Sequence, residues 1–213
     1  MLKGIVAINK PKGLSSHDIV DQVRKITGER RIGHAGTLDP LASGVLVVAI
    51  GRENTKKISS IVKTEKEYLG EIKLGMVSAT DDAEGPLEKV EVKKIPTFSE
   101  VQKAVNKFIG KIEQKPPIYS AIKIKGKKAY ELARKGKNPK LKIREVYIGD
   151  IKILNYSWPI LKLEITCGPG TYIRSLARDI GDELGVGGYV KELKRTKVGD
   201  YKIKNSLDLQ KLN

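Results

Sequence analysis

Cysteine is almost missing from this chain. Cys167 stands alone among 213 residues, so no internal disulfide can form, and a reducing compartment such as the cytoplasm is expected. It closes an apolar segment and reads as a core residue rather than a nucleophile. With two histidines and one cysteine the chain lacks the donors for a zinc site. Long hydrophobic runs are missing too. The runs 4–8 and 45–50 fall far short of the roughly 20 residues a membrane span needs, and the first is too short for a signal-peptide core. Neither a Walker loop nor a dinucleotide fingerprint occurs. Negative charge is in deficit: 25 Asp and Glu face 41 Lys and Arg, a net charge of +16. That balance points to a polyanionic partner, nucleic acid first, with a basic surface tuned for solubility as the alternative. Glutamine is scarce while lysine and glutamate abound, a thermophile-like bias.

What is present suits one soluble domain, or one domain carrying an insertion: 39% hydrophobic and 31% charged residues. The chain is organised around Gly33-His34-Ala35-Gly36-Thr37-Leu38-Asp39-Pro40-Leu41-Ala42-Ser43-Gly44. Its glycines, small residues and Asp-Pro step predict a loop, and the apolar segment 45–50 behind it predicts a buried strand. Asp39 is the loop's only carboxylate, with His34 its only other ionisable side chain. One reading makes Asp39 a turn opener whose carboxylate bonds its own backbone. The other makes it a nucleophile on a rigid scaffold.

Along the chain, 4–8 reads as a strand. Ser15 or Ser16 caps a helix to about Thr27, with Ile19, Val20, Val23 and Ile26 on one face and Gly28 ending it. A short helix is expected around 55–62, then a strand over 68–74 with alternating polarity. The acidic segment 78–85, with Asp81, Asp82 and Glu84, lacks EF-hand spacing and reads as a solvated loop. Ser99 opens an amphipathic helix whose face is Val101, Ala104, Val105, Phe108 and Ile109, ended by Gly110. Residues 111–142, rich in Lys, Arg, Gly and Pro, read as a basic insertion with a helical piece at 129–135 and two aromatics, Tyr119 and Tyr130. Strands follow at about 142–154 and 160–166. Thr171 is placed to cap a helix running to Leu184. Arg174 then lies in its first turn, against the helix dipole, which calls for a specific anionic partner unless the position merely tolerates a surface arginine. Lys191, Lys194, Arg195 and Lys197 form a basic cluster, read either as phosphate contacts or as a solvated helix face.

Taken in order, six segments resemble the bacterial tRNA pseudouridine-55 synthase family, TruB, which includes the catalytic subunits of guide-RNA pseudouridine synthases. They are residues 9–16 (Asn-Lys-Pro-Lys-Gly-Leu-Ser-Ser), the 33–44 loop, Lys66-Glu67-Tyr68, Pro116-Pro117-Ile118-Tyr119-Ser120-Ala121-Ile122-Lys123, Gly168–Arg174, and Leu193-Lys194-Arg195-Thr196. The resemblance implies an α+β fold with a mixed, largely antiparallel central sheet, flanking helices and a thumb insertion at about 111–142. It implies one catalytic domain over 1–213, with no room for the RNA-binding PUA domain that many members carry after it. It places the catalytic aspartate at Asp39, its ion-pair partner at Arg174, and the base-stacking aromatic at Tyr68; beyond the resemblance, a share in moving the C5 proton is expected of the same phenol. Tyr172 and Leu193 shape the base pocket, and His34 stays beside the opened RNA loop. Lys10-Pro11 matches a motif with a structural role. The implied activity is conversion of uridine to pseudouridine in the tRNA T-loop by base flipping, an isomerisation needing no cofactor or metal. The implied partner is tRNA, with no membrane and no obligate protein partner. A non-catalytic tRNA-binding or folding protein on the same scaffold and a guide-RNA-dependent subunit are the rivals. An acyl-transfer hydrolase using Ser120-Ala121-Ile122-Lys123 lacks its companion motifs.

Overall fold

The computed structural model describes residues 2–209. In chain order the elements are β1 (Gly4–Lys10), α1 (Ser16–Thr27), β2 (Ile32–His34), β3 (Ser43–Ile50), α2 (Arg52–Thr55), α3 (Ile58–Val62) and β4 (Lys66–Leu74). Next come β5 (Met76–Ser78), β6 (Leu87–Lys89), α4 (Phe98–Asn106), β7 (Gly110–Gln114), β8 (Lys123–Ile124), β9 (Lys127–Lys128) and α5 (Ala129–Ala133). The chain closes with β10 (Arg144–Ser157), β11 (Ile160–Cys167), α6 (Ile173–Glu183), β12 (Gly188–Val198), β13 (Tyr201–Lys202) and a 3-10 turn, Ile203–Asn205. The main strands pair in the order β1-β3-β12-β4-β11-β10-β7. The sheet is mixed, because β12 runs parallel to β3 while β1–β3 and β7–β10 are antiparallel. Helices flank it, as the α+β reading requires. Among the described residues no helix is long and apolar enough to cross a membrane.

Two compact units divide the chain. The first comprises 1–69, 164–169 and 192–213. Its centre is β3, buried at every position from Gly44 to Ile50, as expected of a strand covered on both faces. Val45 and Val47 pack with Ala7, Ala35 and Val198, and Ile5, Ile58 and Ile61 close around them. Each such aliphatic side chain contributes about 1.5–3 kcal/mol when fully buried. Helix α1 forms because Ser15 and Asp18 make a reciprocal capping box and Gly28 adopts the left-handed conformation its end requires. It buries Ile19, Val20 and Val23, the predicted face. The glycine loop is shorter than predicted: Gly33 and His34 already pair with Ala49 and Val48, and β3 starts at Ser43.

The second unit comprises 70–163 and 170–191. Helix α4 is capped by Thr97, not Ser99, through a box with Glu100, whose carboxyl is held down at about 2 by Lys94 and the Thr97 cap. The helix ends at Asn106, so Phe108 and Ile109 fall outside it, and Gly110 opens β7 instead of ending a helix. Residues 111–114 of the expected insertion belong to the sheet, paired with 144–147 of β10. The expected insertion therefore leaves the sheet only after Gln114, whose side chain is buried. It contains the β8–β9 hairpin and α5.

Candidate active site

The Asp39 loop lies in the first unit and is gripped through its main chain. Ser16, buried at the start of α1, accepts from the Leu38 amide at 2.8 Å and donates to the Leu38 carbonyl at 2.9 Å. The Pro40 carbonyl accepts from the Gly13 amide at 2.8 Å and lies 3.5 Å from Lys10 Nζ. Lys10 is fully buried, and its ammonium also donates to the carbonyls of Pro11 (2.9 Å) and Leu14 (2.5 Å). The Asp39 carbonyl accepts from the Ala42 amide at 3.0 Å, closing a turn. The residues on both sides of Asp39 are thus pinned, while Asp39 itself is half-buried. Gly44 ends the loop at φ +103°, where a Cβ would stand 2.1 Å from the Arg195 carbonyl oxygen; only glycine fits.

Around this loop the first unit places His34, Tyr68 and Leu193. Tyr68 is 7% exposed on β4; burial pushes its phenol above the ordinary value, while the Arg195 guanidinium beside its hydroxyl works against that rise. The Asp39 charge also reaches this hydroxyl, adding to the upward shift. His34, on β2, has its Nδ1 buried without a hydrogen-bond partner. Burial and then the Arg195 and His17 charges hold the imidazole below its usual value, so the neutral ring is favoured. Leu193 is buried on β12.

The second unit holds Tyr172 and Arg174. Helix α6 starts at Ile173 with Tyr172 as its N-cap, and no side chain caps it; Thr171 Oγ1 is buried and unpaired rather than capping as predicted. Gln114 replaces that cap, its amide bonding the Tyr172 amide (2.8 Å) and carbonyl (3.1 Å). The Tyr172 ring lies under the Arg144 guanidinium, 5.7 Å from its centre. Arg174 is 5% exposed and does have an anionic partner, Asp82, at 3.3 Å. It also donates to the carbonyls of Thr80 (3.0 Å) and Tyr119 (2.9 Å). One turn on, Arg178 pairs with Asp81 at 2.8 Å and donates to the Lys115 carbonyl. The 78–85 segment is therefore not a solvated loop. Asp82 is 1% exposed, and its carboxylate also accepts from the Thr80 hydroxyl and the Glu84 amide.

The basic cluster at 191–197 differs most from expectation. It lies on a strand, so its side chains alternate. Arg195 is 1% exposed and points the same way as Leu193, whereas Lys194 is exposed. Lys191 pairs with Glu71 and Lys197 with Glu67. Of the four, Lys194 alone keeps the exposed setting that a phosphate contact needs.

A family model described as TruB family pseudouridylate synthase (N terminal domain) matches residues 24–173. The chain belongs to the TruB family. A second model, the tRNA pseudouridylate synthase B C-terminal domain, matches 174–213. The chain is 42% identical over 212 residues to tRNA pseudouridine synthase B of Clostridium tetani, covering all of this chain and 73% of that one. It is 41% identical to the Thermobifida fusca protein of the same name, covering 75% of it. Among solved structures, it matches a chain of a Cbf5-Nop10-Gar1 complex at TM-score 0.76 and 29% identity, with 97% of this chain and 52% of that chain covered. The chain thus spans about half the length of that structural relative. Pseudouridine synthases are isomerases, and the α+β sheet described above agrees with this neighbour.

Sequence reasoning missed three groups that hold these segments, each within its own unit. Ser16 reads as a helix cap in sequence, yet its hydroxyl serves the Leu38 peptide and Ser15 caps α1. Asp82 is hidden among acidic loop residues, because its partner Arg174 lies far along the chain. Arg195 did carry a signal: Leu193 and Arg195 are two apart, the repeat of a strand face.

Proposed function

We propose that this TruB-family chain converts the uridine at position 55 of the tRNA T-loop into pseudouridine, with Asp39 as the essential carboxylate. One observation carries the reading: the Leu38 peptide and the Pro40 carbonyl are clamped on either side of Asp39 by Ser16, Gly13 and Lys10, which fixes where its carboxylate is presented. The reaction breaks C1′–N1, turns the uracil, joins C1′ to C5, and leaves the C5 proton, in net terms, on N1. An ionised carboxylate serves each open route: attack at C1′, attack at C6, or assistance to elimination through a glycal. The resemblance gives Arg174, which here also pairs with Asp82, the role of keeping the catalytic carboxylate charged. Tyr68 stacks on the extruded base, worth about 1–3 kcal/mol, and helps carry the C5 proton. The resemblance gives Tyr172 and Leu193 the role of lining the base pocket. Extrusion from a folded loop costs a few kcal/mol, and the neutral ring of His34 occupies the space vacated. The basic segment after Gln114, up to 142, acts as a thumb on the RNA, so affinity falls steeply with salt. The compartment is the cytoplasm, where unmodified tRNA is found.

The test is an unmodified tRNA transcript and the same transcript with cytidine at position 55, each incubated with the protein and mapped for pseudouridine by position. The reading expects modification at 55 in the first and none in the second. Modification elsewhere, or tRNA binding without any pseudouridine, overturns it.

A further inference from the structure

Arg195 is the chain's most deeply buried arginine, and among the described residues no carboxylate forms an ion pair with it. Removing a guanidinium from water is unfavourable unless its donors are used. Here Nε donates to the Val45 carbonyl at 2.8 Å and Nη2 to the Gly36 carbonyl at 2.9 Å. Those carbonyls stand at the two ends of the Asp39 loop. The remaining nitrogen, Nη1, points along Gly36, 3.5 Å from where a Cβ would be. The guanidinium also lies beside the Tyr68 hydroxyl and within charge range of His34 and Lys66. The backbone is equally committed: Arg195 is in parallel register with Gly44, whose lack of a side chain admits its carbonyl. A phosphate-binding arginine would stand in solvent. A purely structural one would be served as well by a buried apolar side chain of similar length, without the charge.

We infer that Arg195 is a positioning residue that ties the two ends of the Asp39 loop to the Tyr68 hydroxyl, so that carboxylate and phenol are presented to the uridine in one fixed geometry. The inference rests on the reading of Asp39 and Tyr68 given under Proposed function. It assigns to Arg195 no contact with substrate. Lysine is not an equivalent here. A single ammonium on a flexible stem cannot bridge two carbonyls as a planar fork does.

The experiment uses the full chain with Arg195→Met, Arg195→Lys and Tyr68→Phe, alone and combined. Three quantities are followed: tRNA affinity, the single-turnover rate of pseudouridine formation, and titration of Tyr68 by carbon-13 tyrosine NMR, assigned with Tyr68→Phe. Arg195→Met is expected to raise the Tyr68 titration point further and to slow turnover about 10–100-fold, the scale of a small misplacement. Affinity for tRNA should stay within about threefold, as it would not if Arg195 met phosphates. Combined with Tyr68→Phe, its cost should fall below the product of the two single effects. Arg195→Lys, the variant to read if the methionine protein does not fold, should slow turnover while moving Tyr68 less. An unmoved Tyr68 resonance, or effects that simply multiply, would overturn the inference. If the wild type makes no pseudouridine, the functional reading fails, and the Tyr68 titration still decides whether Arg195 acts on that hydroxyl.

Discussion

Two aspartate-bearing loops in this protein are held in different ways. Around Asp39 the restraints fall on the main chain: Ser16 on the Leu38 peptide, Gly13 and Lys10 on the Pro40 carbonyl, Arg195 on the carbonyls of Gly36 and Val45. In the 78–85 loop main-chain bonds, among them Arg174 to the Thr80 carbonyl and the Val190 amide to the Asp81 carbonyl, stand beside ion pairs of Asp82 with Arg174 and of Asp81 with Arg178. The second pattern spends the charge on folding, and Asp82 is 1% exposed as a result. The first fixes the backbone on both sides of Asp39, which suits a group that has to be presented in one geometry. Both segments are built of small and polar residues around aspartate. The depth of the carboxylate separates them: Asp82 is buried and Asp39 half-buried.

That contrast can be broken from either end. Gly44→Ala attacks the first loop's backbone grip. The new Cβ would be driven into the Arg195 carbonyl at a positive φ, and we expect a loss of more than about 4 kcal/mol in urea unfolding. Asp82→Asn removes one charge of a buried pair and leaves Arg174 without its counterion in this loop. Breaking such a pair costs about 3–5 kcal/mol, again read by urea unfolding. Ser16→Ala deletes the hydroxyl that serves both groups of the Leu38 peptide, at about 1–3 kcal/mol, and should slow turnover through the displaced Asp39. If Ser16→Ala were as neutral as a surface change, the backbone grip would not be what fixes this loop. The smallest effect concerns pH. His34 is held below its ordinary value in the folded protein, so between that lowered value and the unfolded value near 6.5 the unfolded chain binds more protons. Stability should fall as pH drops through that window, and His34→Gln should flatten the decline when denaturation curves at several pH values are compared.

The parts legible in the sequence are those where local chemistry decides structure. Glycines and Asp-Pro announced the Asp39 loop, and β-branched residues announced β3. The Ser15-Ser16 pair, the apolar spacing and Gly28 announced α1. Asp39 itself stood out as a lone carboxylate at the mouth of a buried strand. Illegible were contacts that join residues far apart in the chain. Nothing local distinguishes Asp82 from a solvated acid, because its partner lies 92 residues on. Gln114 takes over from Thr171 at the start of α6 across 58 residues. Arg195 was masked by its lysine neighbours, whose charge suggested solvent while the strand's alternation turned it inward. Arg174, set against its helix dipole, announced a partner without revealing which.

The central claim is that Asp39 is held in order to react. It is tested most directly by giving Asp39→Asn and wild type the same unmodified tRNA, at matched occupancy, and following pseudouridine at position 55 in a single turnover. We predict a loss of at least about 10,000-fold in rate, with the melting transition and tRNA affinity close to wild type. Turnover retained within about tenfold would contradict the account, because the carboxylate would then be one more structural acid like Asp82.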